Sequence, residues 1–209
     1  MMTRNQITTF LGLSVALWVG LLLWRGIPVT LPMLAPFSLV VGAVSGILLT
    51  FDRWLWNWPI FRGWLVRRPY LHGTWRAEIV SDWVDPSTGA GIPPIMAFMV
   101  VRQTGSALSL RLLTAESRSE SVSAGVEVCT DGTFEINVAY RNRPGSPFRH
   151  RSEVHYGAML LTTESSTPTR LEGEYWTDRK TIGSVTLTDR RRGHPATFTE
   201  AQDAFAVVD

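Results

Sequence analysis

The chain has little cysteine, almost no lysine, and a long stretch with almost no charge. Cys129 is the only cysteine among 209 residues. That excludes an internal disulfide framework and any cysteine-based zinc site within one copy. Lys180 is the only lysine, so 19 of the 20 basic residues are arginine. Arginine pairs bidentately with phosphate and stacks on flat rings. Between Asn5 and Phe51 the one charged residue is Arg25. The catalytic signatures are missing too. There is no GxSxG, no HExxH, no Walker loop and no GxGxxG after a strand. The four histidines (His72, His150, His155, His194) lack metal-ligand spacing. The sequence therefore predicts no catalytic residues, no metal and no cofactor, and the chain is not expected to be an enzyme.

What is present begins with hydrophobic length. Ile7 to Trp24 is an uncharged run of 18 residues and Ile27 to Phe51 one of 25. A bilayer core takes about 20 apolar residues in a helix. Residues 1–52 are accordingly expected to form two transmembrane helices joined by a tight turn. A signal peptide would have a shorter core and a small-x-small cleavage site, neither of which is seen here. Arg4, Arg53, Arg62, Arg67, Arg68 and Arg76 lie at the end carrying both termini, and only Arg25 lies at the tip. The positive end faces the cytoplasm. The expected placement is the bacterial inner (plasma) membrane, two-pass, with both termini and the soluble part cytoplasmic. Gly12, Ala16 and Gly20 form a small-residue stripe, as do Ser38, Gly42, Gly46 and Thr50. Such stripes pack a hairpin against itself or against another protomer.

Residues 53–70 hold Trp54, Trp56, Trp58 and Trp64 among four arginines. That composition fits an interfacial linker, with indoles at headgroup depth and arginines on lipid phosphates. The same tryptophans could instead floor the soluble domain.

From Leu71 the pattern changes to period two. Eight strands are predicted near 71–82, 95–103, 107–114, 120–128, 133–141, 152–161, 170–178 and 183–190, with turn signals such as DPSTG and TDGT between them. Successive short antiparallel strands predict an eight-stranded up-and-down barrel, lipocalin-like, over 71–195. Closure removes exposed edges, and eight strands enclose either packed side chains or one small ligand. Gly73-Thr74-Trp75 has the GxW form of the first strand in lipocalin-like barrels. Alternation puts Trp75, Ala77 and Ile79 on the inner face. It also puts there Leu108, Leu110 and Leu112; Val122, Ala124, Val126 and Val128; and Phe134, Ile136, Val138 and Tyr140. Tyr156, Ala158 and Leu160, and Leu171, Gly173, Tyr175 and Thr177, continue the set. Residues 196–209 read as a C-terminal tail without clear pattern.

The remaining chemistry is binding chemistry. RQTGS (102–106), RNRPGSPFRHRS (141–152) and YWTDRKT (175–181) combine arginines, hydroxyls and aromatics at strand ends and loops. An anionic ligand bearing rings needs that set. The candidate ligand-binding residues are Tyr140, Tyr156, Tyr175 and Thr177 on the predicted inner register, with Arg179, Lys180, Arg151, Arg102, Thr104 and Arg111. Arg102 and Arg111 fall on the opposite register.

Taken in order, the parts carry a resemblance. An apolar helix pair, the collar DRWLWNWPIFRGWLVRRP, the strand start GTWR, MVVRQTGSALSLRLLTAES, RSEVHYGA and YWTDRKTIG together resemble the transmembrane β-barrel effectors of bacterial CBASS anti-phage systems, proteins associated with a CD-NTase. The resemblance extends to about Arg190 and implies a function. A partner CD-NTase would make a cyclic dinucleotide second messenger. The cytosolic barrel would bind it as an activating ligand and self-associate. The helices would then disrupt inner-membrane lipid, causing abortive infection. No nucleic acid polymer is implied as a partner. The alternative from a different class is a membrane-anchored lipocalin-like carrier or sensor of an apolar or lipid ligand.

Overall fold

The computed structural model describes residues 4–27, 31–61, 66–85 and 87–206. They fall into two compact units. In the first, the two apolar runs are helical: α1 spans Arg4–Trp24 and α2 spans Leu31–Arg53. α1 ends in a Schellman motif. Gly26, with φ 68°, donates its N–H to the Leu23 carbonyl, and Ile27 donates to Leu22. Other residues are strained in that left-handed conformation, which glycine adopts freely, so Gly26 terminates the helix. Among the described residues no helix is long and apolar enough to cross a membrane. The expectation of two transmembrane helices is therefore met only as far as two helices in the expected places. Gly12, Gly20, Gly42 and Gly46 have no described atom within 4 Å of where a Cβ would stand. After α2 come two short 3-10 turns, Leu55–Asn57 and Pro59–Phe61. Trp56 is buried there, whereas Trp54 and Trp58 are exposed. Arg62 and Trp64 of the collar lie outside the described residues.

The second unit is a closed antiparallel barrel in sequential order. Its strands are β1 Gly73–Ser81, β2 Ile95–Gln103, β3 Leu108–Leu113, β4 Ser117–Val128, β5 Phe134–Pro144, β6 His155–Thr163, β7 Leu171–Thr177 and β8 Ile182–Arg191. The eight predicted strands all form, with ends shifted by a few residues. Turn chemistry sets the boundaries. Asp131 accepts from the Thr133 N–H at 2.9 Å and its hydroxyl at 2.7 Å, closing the β4–β5 turn.

The inner face carries Trp75, Ala77, Ile79, Met99, Leu110, Leu112, Ile136, Val138, Met159, Leu161, Leu171, Val185 and Leu187 in one apolar cluster. Burial on this scale, at about 25 cal/mol per Å², is what holds the barrel together. Two corrections to the predicted register follow. On β6 the inward residues are Gly157, Met159 and Leu161, so Tyr156, Ala158 and Leu160 face outward. Both registers of HYGAMLLTT offer apolar residues, so alternation alone does not choose between them. Gly157 decides it, because a Cβ there would stand 2.5 Å from the Tyr140 ring. On β4 a bulge falls between Ser121 and Ser123, which turns Val122 outward and keeps Ala124 and Val126 inward.

A second bulge shapes one end of the barrel. Trp75 pairs with Arg190 and Arg76 with Thr188, leaving Asp189 extra at φ 49°. The slip sends Arg190 to the inner register, where its guanidinium lies over Trp75 at 5.3 Å and Tyr70 at 5.0 Å. The Trp75 indole N–H donates to the Leu71 carbonyl at 2.8 Å, and the Gln103 side chain brackets Leu71 and Pro69. Trp75 therefore plugs this end, as its GxW setting predicts. Beside it His72 meets His194 edge-on at 4.5 Å.

Burial first, then the neighbouring His194, hold the His72 pKa below its ordinary 6.5, with Arg102 and Arg190 adding to the effect. Hydrogen bonding with the Gln103 backbone, whose N–H lies 3.1 Å from Nδ1, works the other way without reversing the shift. The folded state therefore binds fewer protons than the unfolded chain on acidification. This contribution is full above about pH 6.5 and is lost as pH falls through the lower folded value. The thermal midpoint should drop between pH 7 and pH 5, and His72→Asn should flatten that slope. An unchanged slope in the variant would assign the acid lability elsewhere.

The residues read as a patternless tail form α3, Phe198–Ala206. Glu200 donates its N–H to the Thr197 hydroxyl, and its carboxylate accepts from the Ala196 N–H at 2.8 Å. This is close to a capping box. Phe198, Ala201 and Phe205 cover Phe98, Val100 and Leu113 on the outer face of β2 and β3. Phe205→Ala should cost about 3 kcal/mol, the lower end for a buried phenylalanine. Chemical denaturation measures it, and a cost below about 0.5 kcal/mol would mean that the helix adds nothing.

Candidate ligand site

The barrel interior leaves little room. Beside Tyr140 a space of about 20 Å³ remains, lined by Met99, Leu110, Ser119, Ser121 and Met159 among others. That suffices for about one water. Toward the end opposite Trp75 the inner face turns polar. Asn142 donates to the Ser117 hydroxyl at 3.0 Å and the Ser119 hydroxyl at 2.8 Å. Two tyrosine rings then fill the bore. Tyr140 lies on Gly157, and Tyr175 lies on Gly183, where a Cβ would meet its ring at 2.6 Å. Burial and the nearby Tyr175 and Asp178 push the Tyr140 phenol well above its ordinary pKa, so it stays neutral. Thr177 closes the β7–β8 turn through its hydroxyl contact with Thr181 at 2.6 Å. Tyr140, Tyr175 and Thr177 are thus brought together, on the inner register as predicted, but as packing at one mouth of a filled barrel.

The larger space is on the outside of the same end. An open recess of about 500 Å³ is lined by Arg141 and Arg143 of β5, Arg149, Glu153 and Val154 of the β5–β6 loop, and Tyr156 of β6. Register builds it. Arg141 stands opposite Tyr156 on one side and Glu120 on the other, and Arg143 stands opposite Arg118. Two arginines facing each other across a ladder are unfavourable without an anion between them. Arg118 turns to Glu120 at 3.3 Å. Among the described residues, Arg141, Arg143 and Arg149 have no carboxylate partner.

Other predicted residues shape this recess indirectly. Arg151 pairs with Glu116 and lies over the Phe148 ring at 5.2 Å. Arg179 donates to the Ser152 hydroxyl at 2.9 Å. Both arginines brace the loop that carries Arg149 and Glu153. Asp178 and Tyr156 exchange two hydrogen bonds at 3.0 Å, fixing the tyrosine's backbone. Lys180 sits in the β7–β8 turn at φ 61°. Arg111 lies one strand further along the outer row, 3.7 Å from Glu120.

Arg102 and Thr104 belong elsewhere. They fall at the far end of β2 and in the β2–β3 turn, at the end plugged by Trp75. The ten predicted residues therefore do not form one site. Arg141, Arg143, Arg149 and Glu153, which line the recess, are not among the ten, although they lie in or beside the arginine-rich segment 141–152. With Tyr156 assigned outward, simple alternation would have joined it to Arg141 and Arg143. The described residues contain no cluster of three or more groups suited to a metal.

Comparison with known families is consistent with this chemistry. No curated protein matches the chain. The family model described as Cap15, cyclic dinucleotide receptor domain, matches residues 66–189, more than half the chain and nearly the whole barrel. The chain therefore belongs to the family of Cap15 cyclic dinucleotide receptor domains, the CBASS effectors that its sequence resembles.

Proposed function

We propose that the cyclic dinucleotide is taken up in the outer recess, with Arg141, Arg143 and Arg149 on its two phosphates and the Tyr156 ring against a base. The observation that carries this reading is a set of arginines without carboxylate partners beside an exposed aromatic, around a recess of about 500 Å³. Ligand sites commonly enclose about 300–1,000 Å³. Arginine forks supply charge-assisted bonds to phosphate, and an aromatic face adds about 1–3 kcal/mol per stacked base. A lipocalin-like carrier of apolar cargo is less well supported, because the bore is packed.

The ligand acts as a switch and not as a substrate. A shift from about 1:99 to 99:1 needs about 5.5 kcal/mol of differential affinity. Self-association is where that preference is expressed. A staggered row of exposed apolar side chains stands on four neighbouring strands on the side opposite β5: Trp176 opposite Ile182, then Val80 opposite Ser184 and Met96 opposite Glu78. Such a row is suited to another protomer. The small-residue stripes of α1 and α2 would then cluster the helices. What supports a membrane role for them is the sequence, with uncharged runs of 18 and 25 residues near the roughly 20 that a span takes, although no described helix is long and apolar enough to cross. In this reading the chain is a two-pass inner-membrane protein whose clustered helices damage the bilayer. Its partner CD-NTase makes the messenger in the cytoplasm.

The test is calorimetric titration of the full chain in detergent with cyclic di- and trinucleotides, followed by sedimentation with and without the best binder. Binding of one cyclic dinucleotide with ligand-dependent growth in mass is the expected result. Binding without growth would sink the self-association step. Silence across the panel would sink the recess.

A further inference from the structure

The recess contains one group that an anionic ligand would be expected to avoid, the carboxylate of Glu153. It is exposed, and among the described residues it joins no ion pair. Its backbone carbonyl accepts from the His155 ring at 3.0 Å, which fixes the chain beside β6. Three guanidinium groups and one carboxylate leave the lining two positive charges in excess. That matches the two phosphates of a cyclic dinucleotide. The carboxylate is then left for the uncharged part of the ligand.

An ionised carboxylate only accepts hydrogen bonds, through two oxygens. It therefore needs two adjacent donors. The pairing edge of guanine offers them, N1–H beside the 2-amino group. Adenine places an acceptor, N1, beside its amino group, and cytosine places N3 there. Uracil flanks its single N–H with two carbonyls. Any of these three would set a lone pair against a carboxylate oxygen, and the mismatch is the source of discrimination.

We infer that Glu153 makes this site selective for cyclic dinucleotides containing guanine, by accepting from the guanine N1–H and 2-amino groups. The inference rests on the recess being the ligand site. A bidentate contact to a base is worth about 1–3 kcal/mol of discrimination, so at least about a fivefold preference follows.

The experiment is titration of the full chain in detergent with cyclic di-GMP, cyclic di-AMP and cyclic di-UMP, for the native protein, Glu153→Gln and Arg141→Ala. The expected result has three parts: cyclic di-GMP binds at least about fivefold tighter than the other two; Glu153→Gln closes that gap while cyclic di-AMP still binds; Arg141→Ala weakens all three. Equal affinities in the native protein would overturn the guanine assignment and leave the recess intact. A gap that survives in Glu153→Gln would overturn the role of Glu153. If Arg141→Ala leaves all three affinities unchanged, the ligand lies elsewhere and both readings fall.

Discussion

Replacing Arg141 and Arg143 together by glutamate should weaken cyclic dinucleotide binding by at least about a hundredfold and leave the barrel folded. Hydrogen bonds to charged groups contribute about 1.5–3 kcal/mol each, so losing two exceeds the roughly 2.7 kcal/mol that a hundredfold represents. The new carboxylates add repulsion from the ligand phosphates. The fold should tolerate the change because both side chains lie on the outer face, with Arg143 exposed and Arg141 half-buried. Outward substitutions of this kind usually stay within about 0.5 kcal/mol, a shift of about 2 °C in the thermal midpoint at this size. Arginine-to-lysine versions should recover part of the affinity, since charge is kept but the planar fork is lost. Calorimetry with parallel thermal melts checks both halves. Native affinity in the double glutamate variant would place the ligand elsewhere.

Because the bore is packed, the location of the ligand matters for mechanism. A messenger buried inside a barrel would signal by deforming it. A messenger on the outer face of β5 and β6 can instead alter which surfaces the barrel presents, with little change in its core. Arg151 and Arg179 then act as positioning residues. Arg151 ties the loop bearing Arg149 and Glu153 to Glu116, and Arg179 of the β7–β8 turn holds Ser152 of that loop, so the recess is partly formed before the ligand arrives. Less ordering free energy is then lost on binding.

Much of the barrel was legible in the sequence because most strands alternate strictly and turn residues separate them. β1, β3, β5 and β7 each show one apolar register, and all four point as expected. β6 failed because its two registers are about equally apolar, and a shift of one residue exchanges the faces. The choice rests on Gly157, whose missing side chain makes room for Tyr140 from the neighbouring strand. That is a pair relation, invisible to a scan along one strand. The β4 bulge at Val122 and the β8 bulge at Asp189 are similarly set by neighbours. The α3 helix had a local signal, Thr197-Phe198-Thr199-Glu200, but only nine residues of pattern behind it. Its stability comes from three side chains covering the outside of β2 and β3, which no local window contains. The candidate recess was legible as a segment and not as residues, because sorting the arginines of 141–152 required the β6 register first.

The largest loss of stability should come from Trp75→Ala. Trp75 has no exposed surface, and removing a buried tryptophan costs about 3–5 kcal/mol. Three further losses accompany the cavity. The Leu71 carbonyl loses its indole donor, and a buried acceptor without a partner costs about 1–3 kcal/mol. Arg190 loses one of the two rings beneath its guanidinium. The bulge at Asp189, which turns Arg190 inward, then has less to hold it. The thermal midpoint should fall by roughly 10 °C, at about 2–4 °C per kcal/mol for a chain of this size. Trp75→Phe should fall between the two, because it keeps much of the apolar volume and loses the hydrogen bond. Cyclic dinucleotide affinity in Trp75→Phe should stay near native while the protein is folded, since the recess lies at the opposite end of the barrel. A loss of affinity in a folded Trp75→Phe would show that the two ends are coupled. A loss of stability below about 1 kcal/mol in Trp75→Ala would show that the Arg190, Gln103 and Leu71 network closes this end without the indole.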